Sequence, residues 1–160
     1  MEPWVNFGVA QVGASAALVG LVFVAVSINL AQIVASPRMP DRALGTLLAL
    51  ATVLAECSLL VAPLGSPGLA GSAILLVALA FGVAQAVVHR RLLRRTTRRH
   101  RRGDWWLVAL TYLGLLAFLA AGGGALAGRA GGLSWLVPGV LLSYLVALIG
   151  AWVLLIEIKR

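Results

Sequence analysis

Few side chains in this sequence are equipped to make or break bonds. Two histidines, one cysteine and five acidic residues are the whole stock of imidazole, thiol and carboxyl groups among 160 residues. No Gly-x-Ser-x-Gly, His-Glu-x-x-His or paired-cysteine spacing arranges them. The glycines Gly122-Gly123-Gly124 and Gly128 lack the Lys and Ser/Thr of a phosphate-binding loop, so close helix packing or an outer turn is their expected use. No catalytic residue, metal site or cofactor is expected, and the chain reads as a non-enzyme.

Of the five carboxyl groups, Glu2, Asp41, Asp104 and Glu157 fall at the ends of apolar runs, and Glu56 does not. It stands only about 5 Å to the outer side of the middle of its run, counted at about 1.5 Å per residue. An ionised carboxylate at that depth is costly and is normally functional or paired. No Lys or Arg shares the depth, and Gly45, Ala49, Thr52 and Glu56 recur on one small or polar helix face that points the acid into protein. Two roles fit: an ion or proton site, and a protonated contact between helices with Ser15, Ser143 or Tyr144 as expected partners. Cys57 beside it reads as a small buried hydrophobe.

The first apolar run carries a second polar pattern. Gln11, Ser15, Leu18, Val22, Ala25, Asn29 and Gln32 alternate steps of four and three, a heptad-type seam with polar ends and an apolar middle. Roughly opposite run Asn6, Gly13, Gly20 and Ser27, small residues that admit a close neighbour. A lipid-facing helix needs neither stripe, so both sides are expected to touch protein. In one arrangement this helix sits at the centre of a homo-oligomer, its seam lining a pore with a hydrophobic constriction at Leu18, Val22 and Ala25 and its small stripe backed by the other spans. In the other, the same residues are contacts in a closed bundle, worth about 0.6–2 kcal/mol for each interhelical hydrogen bond. Ala78/Gly82/Ala86 and Ser143/Ala147/Ala151 are further small faces suited to tight assembly.

A basic segment over residues 89–102 supplies most of the net charge of +8. Arg90, Arg91, Arg94, Arg95, Arg98, Arg99, Arg101 and Arg102 fall on one half of a helix at about 100° per residue, with Leu92, Leu93, Thr96 and Thr97 on the other. The third span is therefore expected to continue as a basic amphipathic rod that engages anionic phospholipids, at up to about 1 kcal/mol per basic residue near the surface. The same run also serves as a topology signal. No aromatic residue interleaves the arginines, so nucleic acid is not an expected partner. His89 and His100 read as solvated members of the run rather than metal ligands.

The elements that must position these groups are set by composition. With 61% apolar and 11% charged residues and a mean hydropathy of +1.01, the chain lies far from a soluble domain. Five runs are long enough to cross about 30 Å of hydrocarbon, at 5–34, 43–62, 69–88, 105–127 and 133–156, separated by Pro- and Gly-rich breaks and the arginine run. This predicts an all-α, five-span helix bundle forming one transmembrane domain over residues 1–160. Placing the N-terminus outside and the C-terminus in the cytoplasm leaves only Arg129 of the 13 Lys and Arg outside. Trp4 and Trp135 then fall at the outer interface and Trp105, Trp106 and Trp152 near the inner one. Met1-Glu2-Pro3-Trp4 has no basic region, and no cleaved leader is expected.

The stretch from Gly13-Ala14-Ser15-Ala16-Ala17-Leu18-Val19-Gly20 to Ile28-Asn29-Leu30 resembles a largely uncharacterised family of small multi-pass membrane proteins from actinobacteria. So does Trp135-Leu136-Val137-Pro138-Gly139 through Ser143, with Ala151-Trp152 through Glu157-Ile158. The resemblance implies a bacterial plasma membrane and carries over no activity and no functional residues. The functions expected are, first, a homo-oligomeric ion channel lined by the first helix. The second is an adaptor or modulator acting through the arginine rod, and the third a proton-coupled transporter using Glu56.

Overall fold

The computed structural model describes residues 2–95 and 101–156. They form helices α1 (Glu2–Ile28), α2 (Leu30–Ala35), α3 (Met39–Val61), α4 (Pro67–Arg95), α5 (Arg101–Leu126) and α6 (Leu136–Ile156), with one 3-10 turn at Gly132–Trp135. Five of these are long and apolar enough to cross a membrane, in accord with the expected all-α, multi-span bundle. One boundary differs from the sequence reading: the first span breaks at Asn29. The third continues without interruption to Arg95, in accord with the expected continuation into the arginine run.

Local chemistry explains the ends. Pro40 stands in the first turn of α3, where a missing N–H costs nothing, and Asp41 beside it complements the positive end of the helix dipole. The helix stops at Ala62, held extended by the following Pro63. Ser66 accepts a hydrogen bond from the Leu69 N–H at 3.2 Å and so caps α4. Gly128 and Gly131, at φ of 64° and 83°, turn the chain from α5 into α6. At the break in the first span, the Asn29 side-chain amide donates to Ala25 O at 3.0 Å and to Leu154 O of α6 at 3.3 Å.

Helices α3, α4, α5 and α6 form a closed four-helix ring, each packing on the next, and α1 lies outside it against α3 and, more lightly, α6. Each short connection reverses the chain. The start of α3, the end of α4 and the start of α5 therefore share one end with Arg38, Arg42 and the exposed Arg90, Arg91, Arg94 and Arg95. Arg129 lies at the other end. Large apolar side chains such as Phe23, Leu76, Leu116 and Leu141 face outward, as they must in a bilayer. Trp105, Trp106 and Trp152 are exposed at the arginine end, Trp135 at the opposite end.

Inside the ring, the end away from the arginines is filled by Val53, Cys57, Ala78, Phe118, Ala121, Leu136 and Val140, drawn from all four helices. The expected close-packing role of the glycines holds for two of the three. A Cβ on Gly122 would lie 2.9 Å from Leu75 N, and one on Gly124 2.7 Å from Gly132 Cα, whereas Gly123 faces open space. Facing Gly122 on α4, Gly71 would bring a Cβ to 2.5 Å from Leu126 N. Gly71→Ala is therefore expected to force backbone apart and cost about 1–3 kcal/mol, while Gly123→Ala leaves stability unchanged; thermal unfolding of the two variants in nanodiscs checks the contrast.

Candidate intramembrane polar site

The buried face of α3 holds Asp41, Gly45, Ala49, Thr52 and Glu56, at steps of four, four, three and four residues. This face looks along the interior of the four-helix ring. Its polar groups are met by side chains of α4, α5 and α6, and together they make a file from the arginine end to beyond the middle of the bundle.

The file begins with ion pairs. Arg42 Nη1 donates to Asp104 Oδ1 at 2.7 Å, Arg38 Nη1 lies 3.7 Å from Asp104 Oδ2, and the Asp104 side chain is only 1% exposed. Arg95 Nη1 stands 3.4 Å from Asp41 Oδ2 and donates to Pro37 O at 2.9 Å. Asp41 and Asp104, two of the four acids that fall at span ends in the sequence, thus neutralise arginines across helices.

One turn deeper, a cavity of about 20 Å³ is bounded by Arg42, Gly45, Thr46, His89 and Thr111, among others. His89 is buried, which corrects its expected place among the solvated arginines. Its ring meets Tyr112 edge-on at 5.7 Å, and its Nδ1 has no hydrogen-bond partner among the described residues. The reason is helical phase. Ala78, Gln85, His89 and Leu92 share the buried side of α4, while Arg90, Arg91 and Arg94 turn outward.

At the middle of the bundle a second cavity, about 10 Å³, is lined by Ala49, Thr52, Gln85, Thr111, Leu115, Ser143 and Val146. Gln85 donates through Nε2 to Gly45 O at 3.4 Å, and its buried Oε1 has no hydrogen-bond partner among the described residues. One turn beyond Thr52 comes Glu56, fully buried, with both carboxyl oxygens likewise lacking a hydrogen-bond partner. The partners expected from the sequence are engaged elsewhere. Ser15 donates to Gln11 O at 2.7 Å, Ser143 to Gly139 O at 2.9 Å and Tyr144 to Gln11 O at 3.1 Å. Val53 and Cys57, on either side of Glu56, belong to the apolar cluster that closes the ring towards the other end.

The seam of the first span is placed differently from the expected pore. Ser15, Val22, Ala25 and Asn29 are buried within one chain, Gln11 and Leu18 are half-buried, and only Gln32 is exposed. Val22 and Leu18 pack with Leu50, Ala147 and Ala151 of α3 and α6, and Asn29 and Gln11 O bond to α6. The stripe of Asn6, Gly13, Gly20 and Ser27 is the exposed one. The two faces are thus exchanged relative to an arrangement with the small stripe backed by other spans. The physical cause is that leucine and valine side chains fill the grooves of α3 and α6 and the Asn29 amide reaches Leu154 O, whereas a smooth small face offers little area.

In the basic segment, Arg90, Arg91, Arg94 and Arg95 are exposed, Leu92 is buried and Leu93 is half-buried, in accord with the amphipathic spacing. Arg98 and Arg99, with Thr96, Thr97 and His100, lie outside the described residues, as do Glu157, Lys159 and Arg160; of Arg101 and Arg102 only the helical backbone is described. Sequence reasoning passed over Gln85, Thr111 and the Arg42–Asp104 pair. The available signal was topology: short connections bring the starts of α3 and α5 and the end of α4 to one place, and Gln85 precedes His89 by one turn.

Fold and site together define the class: a multi-pass α-helical membrane protein with a file of buried polar groups enclosed in a four-helix ring. Comparison of the chain with protein-family models, curated proteins and solved structures gave no match.

Proposed function

We propose that this chain is a proton-coupled transporter in which Glu56 takes up and releases the coupled proton. The observation that carries the reading is the carboxyl group itself: fully buried, unbonded at both oxygens among the described residues, and standing where a line of polar side chains ends against an apolar cluster. Leaving an ionised carboxylate there without a partner is costly, so charging it requires water, a cation or a rearranged packing to reach it. That coupling between protonation and packing is what a carrier needs to make a proton drive a change of access. The positive-inside rule assigns the arginine end to the cytoplasm, so the polar file opens inward and the apolar cluster faces out. A bacterial plasma membrane fits the resemblance of residues 13–30 and 135–158.

Infrared difference spectroscopy across a pH titration tests the assignment directly. A carboxylic C=O band that appears on acidification and is missing in Glu56→Gln supports it, and an identical spectrum in the variant overturns it.

A second reading concerns the arginine end, where Arg90, Arg91 and Arg94 are exposed beside exposed Trp105 and Trp106. Guanidinium groups with indole rings at one membrane surface suit anionic headgroups. Replacing the three arginines by Gln is expected to remove most of the phosphatidylglycerol that co-purifies with the protein, at up to about 1 kcal/mol per residue. Native mass spectrometry counts the retained lipids, and the same spectra give the number of chains in the assembly.

A further inference from the structure

We propose that the mid-membrane cavity among Thr52, Gln85, Thr111 and Ser143 is a binding site for a small, dehydrated monovalent cation of the sodium class. The inference rests on the transporter reading and names the ion that exchanges against the Glu56 proton.

Four helices each contribute one oxygen-bearing side chain near the middle of its span, and the rest of the wall is Ala49, Leu115 and Val146. The hydroxyl protons are already spent. Thr52 donates to Leu48 O at 2.8 Å, Thr111 to Leu107 O at 2.8 Å and Ser143 to Gly139 O at 2.9 Å. A hydroxyl has one proton and two lone pairs, so what these three have left for the cavity is acceptor capacity alone. Gln85 is set the same way. One of its two amide N–H groups is turned to Gly45 O, and its Oε1, in a side chain 1% exposed, has no hydrogen-bond partner among the described residues.

A buried lining of three hydroxyl oxygens with their protons spent and an unbonded amide oxygen is unfavourable until something positive or donating occupies it. The volume of about 10 Å³ limits the guest to one particle no larger than a water molecule. Neutral oxygens are enough to replace the hydration shell of a monovalent cation, whereas divalent ions call for carboxylates in direct contact. The charge is balanced one turn away. When Glu56 releases its proton, the carboxylate offsets the cation, and the exchange of one cation for one proton leaves the interior neutral. The other ionisable groups on the surrounding helices are Cys57 on α3 and Tyr144 on α6 and, towards the arginine end, Asp41 and Arg42 on α3 with Arg38 at its head, His89, Arg90, Arg91, Arg94 and Arg95 on α4, and Asp104 and Tyr112 on α5; α1 adds none within its span. Midplane placement between helices is where coupling ions sit in secondary transporters generally.

The test is thermal unfolding of the full chain in zwitterionic nanodiscs, in sodium, lithium, potassium or N-methyl-D-glucamine chloride at equal ionic strength. Sodium and lithium are expected to raise the unfolding midpoint saturably over N-methyl-D-glucamine, and potassium to do so less. Ser143→Ala and Thr111→Val are expected to raise the half-saturating sodium concentration about tenfold or more, with Thr111→Ser, which keeps the oxygen, retaining the response. Equal midpoints in all four salts would mean that the cavity holds a water only and would overturn the site. A sodium response unchanged in both cage variants overturns it as well. Flat salt dependence combined with loss of proton uptake in Glu56→Gln removes the cage and leaves the proton reading standing. A sodium response that needs Ser143 and Thr111, with proton uptake intact in Glu56→Gln, does the reverse.

Discussion

Glu56→Gln is expected to reduce pH-driven proton uptake in proteoliposomes to the level of protein-free vesicles. The substitution keeps the volume and one carbonyl oxygen but removes the ability to bind and release a proton. It leaves the packing of Val53 and Cys57 with Phe118 and Leu136 untouched, so the folded protein should survive. Stability is in fact expected to be equal or slightly greater, because the variant carries no group whose ionisation opposes burial. The comparison therefore separates chemistry from folding: wild type and variant with the same unfolding midpoint but different flux. An internal pH dye reads the flux under an imposed potential. Uptake that continues in Glu56→Gln with its pH dependence intact ends the transporter reading, since no other carboxyl group among the described residues lies in the membrane interior.

The parts of the molecule set by local chemistry were legible beforehand, and those set by which faces meet were not. Five apolar helices follow from run length and the cost of unsatisfied backbone in hydrocarbon, and their Pro and Gly boundaries follow from backbone geometry. Glu56 stood out because a lone acid in an apolar run has no cheap explanation. The seam of α1 marks a buried face correctly, but periodicity states that a face is covered and not by what. Leu18, Val22 and Asn29 pack on the chain's own α3 and α6, although the same spacing also suits a seam lining the axis of a homo-oligomer. His89 was misjudged through its neighbours in sequence. A residue beside two arginines looks solvated until the 100° step carries it to the side of Gln85. Asn29 as a break was invisible because nothing local distinguishes it from an amide within a helix, and its bond to Leu154 O depends on α6 being there.

Asp104→Leu is expected to destabilise the protein by about 3–5 kcal/mol, the cost of breaking a buried ion pair from one side. Its carboxylate faces Arg42 at 2.7 Å and Arg38 at 3.7 Å. Both guanidinium groups sit in largely buried side chains, 14% exposed for Arg38 and 10% for Arg42. The pair also joins helices that otherwise scarcely touch, since α3 and α5 stand diagonally across the ring with α4 and α6 between them. Losing it should therefore loosen the arginine end of the ring as well as upset its charge balance. A second substitution separates these effects. Arg42→Met with Asp104→Leu removes both charges and restores apolar packing, so most of the lost stability should return. If the double variant unfolds as early as Asp104→Leu alone in an SDS titration, the cross-ring clamp matters more than the charge balance. If it recovers while proton uptake is lost, the pair also serves the uptake proposed for Glu56.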